Sequence, residues 1–180
     1  QTLNLNDPLC VLDACAAPGG KTAFMAQLMG NAGEIVACDV SEGRLRRLTN
    51  NLKRLGVTNT RVELHDWTDE SAPDFLGEGF DRILLDVPCS NTGVMRRRVD
   101  VRWRIEESSF GQQTATQERL LRSTLQALKP GGALVYSTCS IDPEENGPLV
   151  RRVLETMPAF RLEAEESSFP PDSGIDGAYA

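Results

Sequence analysis

Short apolar runs alternate with longer stretches in which apolar residues recur every three or four positions, and the pattern holds along most of the 180 residues. Leu9-Cys10-Val11-Leu12, Glu34 to Cys38, Arg61 to Leu64, Phe80 to Leu85 and Ala133 to Ser137 read as strands. Between and after them the spacing predicts helices over 21–29, 42–55, 109–128 and 143–157. In the second helix Leu45, Leu48, Leu52 and Leu55 form one apolar stripe, with Gly56 placed to cap it. Gly147-Pro148 should kink the last helix, and Phe160 to Ala164 reads as a sixth strand. Strands separated by helices make βαβ units. The predicted fold class is therefore α/β, a doubly wound and mostly parallel sheet, in one domain over 1–180.

In such sheets ligands bind beyond the carboxyl ends of the strands, so the residues that follow each strand carry the chemistry. After the first comes Asp13-Ala14-Cys15-Ala16-Ala17-Pro18-Gly19-Gly20-Lys21-Thr22. Its small residues let the backbone approach a ligand, and the spacing fits neither a P-loop nor GxGxxG. Asp39 ends the second strand, where an acid can accept from ribose hydroxyls; Asp66 follows the third and Asp86 the fourth. Cys89 and Ser90 come just after Asp86, and Cys139 stands between Thr138 and Ser140 after the fifth strand. A lone cysteine is usually a small buried hydrophobe. Two of them at the carboxyl ends of neighbouring strands point instead to nucleophilic chemistry in a shared cleft.

Composition narrows the class. Apolar content of 40% and charged content of 25% are those of an ordinary globular domain. No apolar run reaches membrane-span length and the first residues show no signal-peptide pattern, so a cytoplasmic protein with reduced thiols and no membrane partner is expected. His65 is the only histidine and there is no CxxC pair, which argues against a metal site. The net charge of −7 speaks mildly against nucleic acid, but Arg96, Arg97, Arg98, Arg102 and Arg104 crowd beside the Cys89 segment and form a candidate RNA-binding patch.

The motifs at 13–22, Asp-x-Pro-Cys-Ser at 86–90 and Ser-Thr-Cys-Ser-x-x-Pro-Glu-Glu-Asn at 137–146 resemble the RNA 5-methylcytosine methyltransferases, nearest the bacterial Sun/Fmu (RsmB) type that acts on small-subunit ribosomal RNA. The resemblance runs from about Leu9 to Asn146. It implies a Rossmann-like fold dependent on S-adenosylmethionine (SAM), whose last, antiparallel strand would begin near Gly177 and be lacking here. It implies that Cys15, Ala16, Ala17, Pro18, Gly19, Gly20 and Lys21 wrap the methionine and ribose of SAM. Asp39 would hold the ribose hydroxyls with Arg44 nearby, and Asp66 would lie near the adenine. Cys139 would be the nucleophile, Cys89 the thiol that helps release product, and Asp86 a residue beside both SAM and the target base.

Elementary chemistry agrees with those roles. Carbon 5 of cytosine is a poor nucleophile until a thiolate adds to carbon 6 and makes it enamine-like. A dry carboxyl with a raised pKa, for which Asp86 is the candidate, would stabilise N3. Cys89 would then assist loss of the carbon 5 proton. The expected partner is RNA, ribosomal first and transfer RNA second, met by a monomer. The runner-up is a SAM-binding ribosome-assembly module without catalysis, against which both thiols and Asp86 speak; an NAD-dependent oxidoreductase fits less well.

The sequence departs from the family in two places. Asn91 stands where glycine is usual and Val99 where proline is usual, so loop shape and target preference are expected to differ rather than the chemistry. The family's amino-terminal RNA-binding region is expected to be absent, and the chain is read as a fragment that binds SAM but methylates RNA weakly or not at all alone.

Overall fold

The structure is a computed structural model that describes residues 3–5, 8–69, 71–104, 107–170 and 175–180, the side chains of 104 and 107–110 excepted. Five strands, β1 (Cys10–Asp13), β2 (Glu34–Asp39), β3 (Thr60–Leu64), β4 (Phe80–Asp86) and β5 (Leu128–Ser137), form one sheet in the order β3-β2-β1-β4-β5. β1 pairs in parallel with both β2 and β4, and β2 with β3, in registers such as Val11 opposite Ile35 and Leu12 opposite Ile83. The order reverses between β1 and β4, which makes the crevice beyond their carboxyl ends the expected ligand position. Helices α1 (Gly20–Leu28), α2 (Glu42–Arg54), α3 (Val101–Arg104), α4 (Glu107–Gln126) and α5 (Gly147–Glu155) complete the α/β pattern.

The chain divides into two compact units, Gln1–Asp86 with Ser123–Val135, and Val87–Arg122 with Tyr136–Ala180. In the first, β1 is central and its Val11 and Leu12 are wholly buried. α1 covers the sheet with Met25 and Ala26, packed with Met29, Val11, Ile35 and Leu84. α2 supplies Leu45, Leu48 and Leu52 to a second cluster with Ala16 and Ala37. Fully burying one such leucine is worth about 1.5–3 kcal/mol, so this stripe anchors the helix. Ser41 caps α2 from an extended backbone, with Glu42 in the first turn and Lys53 and Arg54 in the last, each favourable to the helix dipole. Leu55, expected in the stripe, is instead the half-exposed C-cap, because Gly56 turns left-handed (φ 70) directly after it.

Three other expectations are corrected. β5 begins at Leu128 rather than Ala133, because the Ala127 carbonyl already accepts from Phe80 N–H at the foot of β4. Pro143–Glu145 is a separate 3-10 turn and α5 starts at Gly147-Pro148, where the proline lacks only an N–H that a first turn does not use. Residues 160–164 form no strand: Arg161 and Glu163 pair with each other in solvent. The short strands found are β6 (Ser167–Ser168) and β7 (Ala178–Tyr179), paired antiparallel. Tyr179 also bridges Thr138 antiparallel, so the antiparallel strand expected to be lacking is represented by at least these two residues.

Candidate active site

In the first unit the three strands around the crevice each end in an aspartate: Asp13 on β1, Asp39 on β2 and Asp86 on β4. The 14–20 loop rises from β1 beside them. Ala16 N–H donates to the Cys38 carbonyl, Gly19 N–H donates back to Ala16, and Gly19 takes a left-handed backbone (φ 99) at the head of α1. A Cβ there would press on Leu48 Cδ1 at 3.0 Å. α2 holds the loop from the other side, through Asn51 Nδ2 to the Pro18 carbonyl (2.9 Å) and Arg44 to the Ala17 carbonyl (3.3 Å). The Ala17–Pro18 peptide is cis.

Asp39 is buried, accepts from Ser41 N–H (3.1 Å) and pairs with Arg44 (3.1 Å), as the resemblance placed them together. Asp86 Oδ2 takes the Lys21 ammonium at 2.6 Å. Among the described residues no cation forms an ion pair with Asp13. Burial pushes its carboxyl up to about 7, opposed by the hydrogen bond from Thr22 Oγ1 (2.7 Å). A dry carboxyl with a raised pKa therefore stands at Asp13, which the sequence pattern does not single out. Cys15 lies among these groups: burial raises its thiol pKa, and Asp13, Asp39 and Asp86 raise it further. The acceptor oxygens of Asp13, Asp39 and Asp86 suit a ligand that carries an ammonium or sulfonium charge and hydroxyl donors. SAM, with its sulfonium, ammonium and ribose, fits that set. Asp66 is exposed, and its Oδ1 accepts from Thr68 N–H and Oγ1 (2.8 and 2.7 Å), which closes the turn after β3.

In the second unit the two candidate thiols meet. Cys89 Sγ and Cys139 Sγ are 3.1 Å apart, and Cys139 N–H donates to Cys89 Sγ at 3.3 Å. Cys89 is the more buried, and its pKa is raised first by the bond to Cys139 and then by burial. Main-chain bonds hold the two turns together: Val87 N–H to the Ser137 carbonyl and Gly93 N–H to the Cys139 carbonyl, each 3.0 Å.

Residues outside the predicted site brace this pair. Glu145 is fully buried, and its carboxylate accepts from Ser90 N–H (3.0 Å), Ser90 Oγ (2.5 Å) and Gln117 Nε2 (2.9 Å). Asp142 Oδ2 accepts from Thr92 Oγ1 (2.6 Å) and Ser140 Oγ (3.1 Å). Asn146 accepts from Thr138 Oγ1 (2.6 Å) and donates to the Ser140 carbonyl (3.0 Å). Each cysteine therefore has its neighbours pinned by the Asp-Pro-Glu-Glu-Asn segment. The one available signal was that run of acids and amide beside a candidate nucleophile. Asn91 turns its side chain to the thiols instead of standing apart from the chemistry.

The arginine patch is only partly open. Arg96 and Arg97 both pair with Asp176, at 3.5 and 2.8 Å. Arg98 and Arg102 are exposed, and the side chain of Arg104 lies outside the described residues. Among the described residues no cluster of three or more His, Cys, Asp or Glu has metal-binding geometry, and no helix is long and apolar enough to cross a membrane.

Comparison with known proteins agrees with this geometry. Residues 1–176 match the family model of the 16S rRNA methyltransferases RsmB/F. The chain is 42% identical over 162 residues to ribosomal RNA small subunit methyltransferase B of Klebsiella pneumoniae, covering 89% of this chain and 37% of that protein. The crystal structure of PH0851 superposes with a TM-score of 0.92 at 34% identity, over 99% of this chain and 43% of its own. NSun6 from Pyrococcus horikoshii, solved with SFG, gives 0.84 at 32% identity, over 95% of this chain and 46% of its own. The chain spans about two fifths of the length of the curated relatives it matches. Its fold is that of the Rossmann-like SAM methyltransferases, and the chain belongs to the RsmB/F family of 16S rRNA methyltransferases.

Proposed function

We propose that this chain is the catalytic part of a SAM-dependent RNA cytosine-5 methyltransferase acting on small-subunit ribosomal RNA. The observation that carries the reading is the 3.1 Å approach of Cys89 and Cys139. Cys15 to Lys21 with Asp39 and Arg44 would hold SAM, in line with the SAM analogue SFG in the NSun6 structure. Bound there, SAM supplies an electrophilic methyl group.

The chain's own residues would do the rest. Cys139 gives up its proton to solvent water, and the thiolate adds to carbon 6 of the pyrimidine, which raises electron density at carbon 5. Asp86 would supply the proton or hydrogen bond that N3 needs as negative charge develops there, with the Lys21 ammonium as counter-charge. Only Val87 and Pro88 separate Asp86 from Cys89, a tether of no more than about 11 Å of chain. Cys89 helps remove the carbon 5 proton, and Cys139 then leaves. The base must be unstacked, so a single-stranded loop is the expected target, with Arg98 and Arg102 on its phosphates.

The test is mass spectrometry of covalent RNA–protein adducts in the full-length protein, with SAM and small-subunit RNA. Cys89→Ala should accumulate the adduct and Cys139→Ala should abolish it. Methylation that survives Cys139→Ala would remove the mechanism.

A further inference from the structure

Asn91 takes a left-handed backbone (φ 63), a conformation that asparagine tolerates better than other non-glycine residues. Its side-chain orientation follows from its partners. The Cys89 carbonyl, 2.7 Å away, can only accept, so the group facing it is Nδ2. Oδ1 therefore faces Cys139 Sγ, at 3.1 Å, and that contact requires the thiol to donate. With the Cys139 proton aimed at Asn91, the 3.1 Å sulfur–sulfur contact takes its proton from Cys89. The Cys139 N–H donating to Cys89 Sγ closes the loop. One hydrogen-bond direction runs through the whole group, from Cys89 S–H to Cys139 Sγ, from Cys139 S–H to Asn91 Oδ1, and from Asn91 Nδ2 back to the Cys89 carbonyl.

We propose that Asn91 is a positioning residue for Cys139, holding the thiol protonated and in one rotamer while the enzyme rests. Its consequence for catalysis rests on reading Cys139 as the nucleophile; the hydrogen-bond assignment does not. A thiolate at Cys139 would face the partial negative charge of Oδ1, so the resting fold disfavours the reactive form and substrate arrival must release it. Among the described residues the titratable groups on the surrounding elements include Cys89, Tyr136, Asp142, Glu145, Tyr179 and Asp176 with its arginines. An exchange at Asn91 alters none of these side chains.

The experiment is the pH dependence of iodoacetamide alkylation at Cys139, read by peptide mass spectrometry on the full chain without RNA. Asn91→Gly keeps the backbone conformation and removes the acceptor. Its alkylation midpoint should fall, with a rate about five- to tenfold higher at neutral pH. Asn91→Asp keeps an acceptor and adds a charge, so its midpoint should rise. A loop that was merely loosened would move both variants the same way. Opposite shifts support the assignment, and any other pattern overturns it. The adduct assay is separate: loss of the nucleophile role there would leave the alkylation result standing, and the reverse.

Discussion

Cys89 and Cys139 are 50 residues apart in the chain, and their sulfur atoms are 3.1 Å apart in space. Only about 1 Å of approach separates that contact from a disulfide bond, and the main chains of both turns are bonded to each other. A two-electron oxidant such as diamide, itself reduced to the hydrazine, should therefore join this pair first. Peptide mapping without reductant should find a Cys89–Cys139 peptide pair two hydrogens lighter. A different pairing at first oxidation would mean that the two turns separate in solution.

Glu145 should matter for stability more than its place in a surface 3-10 turn suggests. Glu145→Ala strands the Ser90 N–H and a Gln117 amide hydrogen in a buried space and leaves a cavity. Unpaired buried donors cost about 1–3 kcal/mol each, so a loss of about 3 kcal/mol or more is expected in urea unfolding. Glu145→Gln keeps the volume and one acceptor and should lose less. If the alanine variant unfolds at the wild-type midpoint, the brace is dispensable.

Asp13 sets a pH dependence of the opposite sense to most carboxylates. Its folded pKa, about 7, lies above the ordinary value of 3.8, so between those values the folded state binds more protons than the unfolded one. Its contribution is complete below pH 3.8 and drains away as pH rises through 7. Asp13→Asn keeps an acceptor for Thr22 and cannot ionise. The variant should therefore gain stability relative to wild type from pH 4 to 7, by at most about 4 kcal/mol. Thermal melts across that range decide it; a constant difference would mean that Asp13 ionises freely.

Much of this was legible in the chain beforehand, for reasons that particular residues make plain. The stripe of Leu45, Leu48 and Leu52 and the runs Val11-Leu12 and Ile83-Leu85 are periodic burial signals, and burial placed them as expected. Leu55 was misread because a stripe does not reveal where the backbone turns; Gly56 decides that. Residues 160–164 were misread as a strand because two charges that pair across one residue mimic alternation. The thiols were found as strand-end cysteines, but their contact with Asn91 was not. That contact depends on a left-handed backbone at one residue, and periodicity carries no information about it. Asp13 carries no such signal either, because periodicity does not say which strand-end carboxyl will be wholly buried.

Gly93 lies where three stretches of backbone converge. Its N–H bonds the Cys139 carbonyl, its carbonyl takes Gly177 N–H, and Tyr179 exchanges both main-chain bonds with Thr138. A Cβ on Gly93 would collide with the Gly177 carbonyl and stand 2.8 Å from that of Cys139. The thiol turn is thus seated by amide groups that every residue type carries. One added methyl at Gly93, or a proline at position 177, would therefore unseat the Cys139 turn.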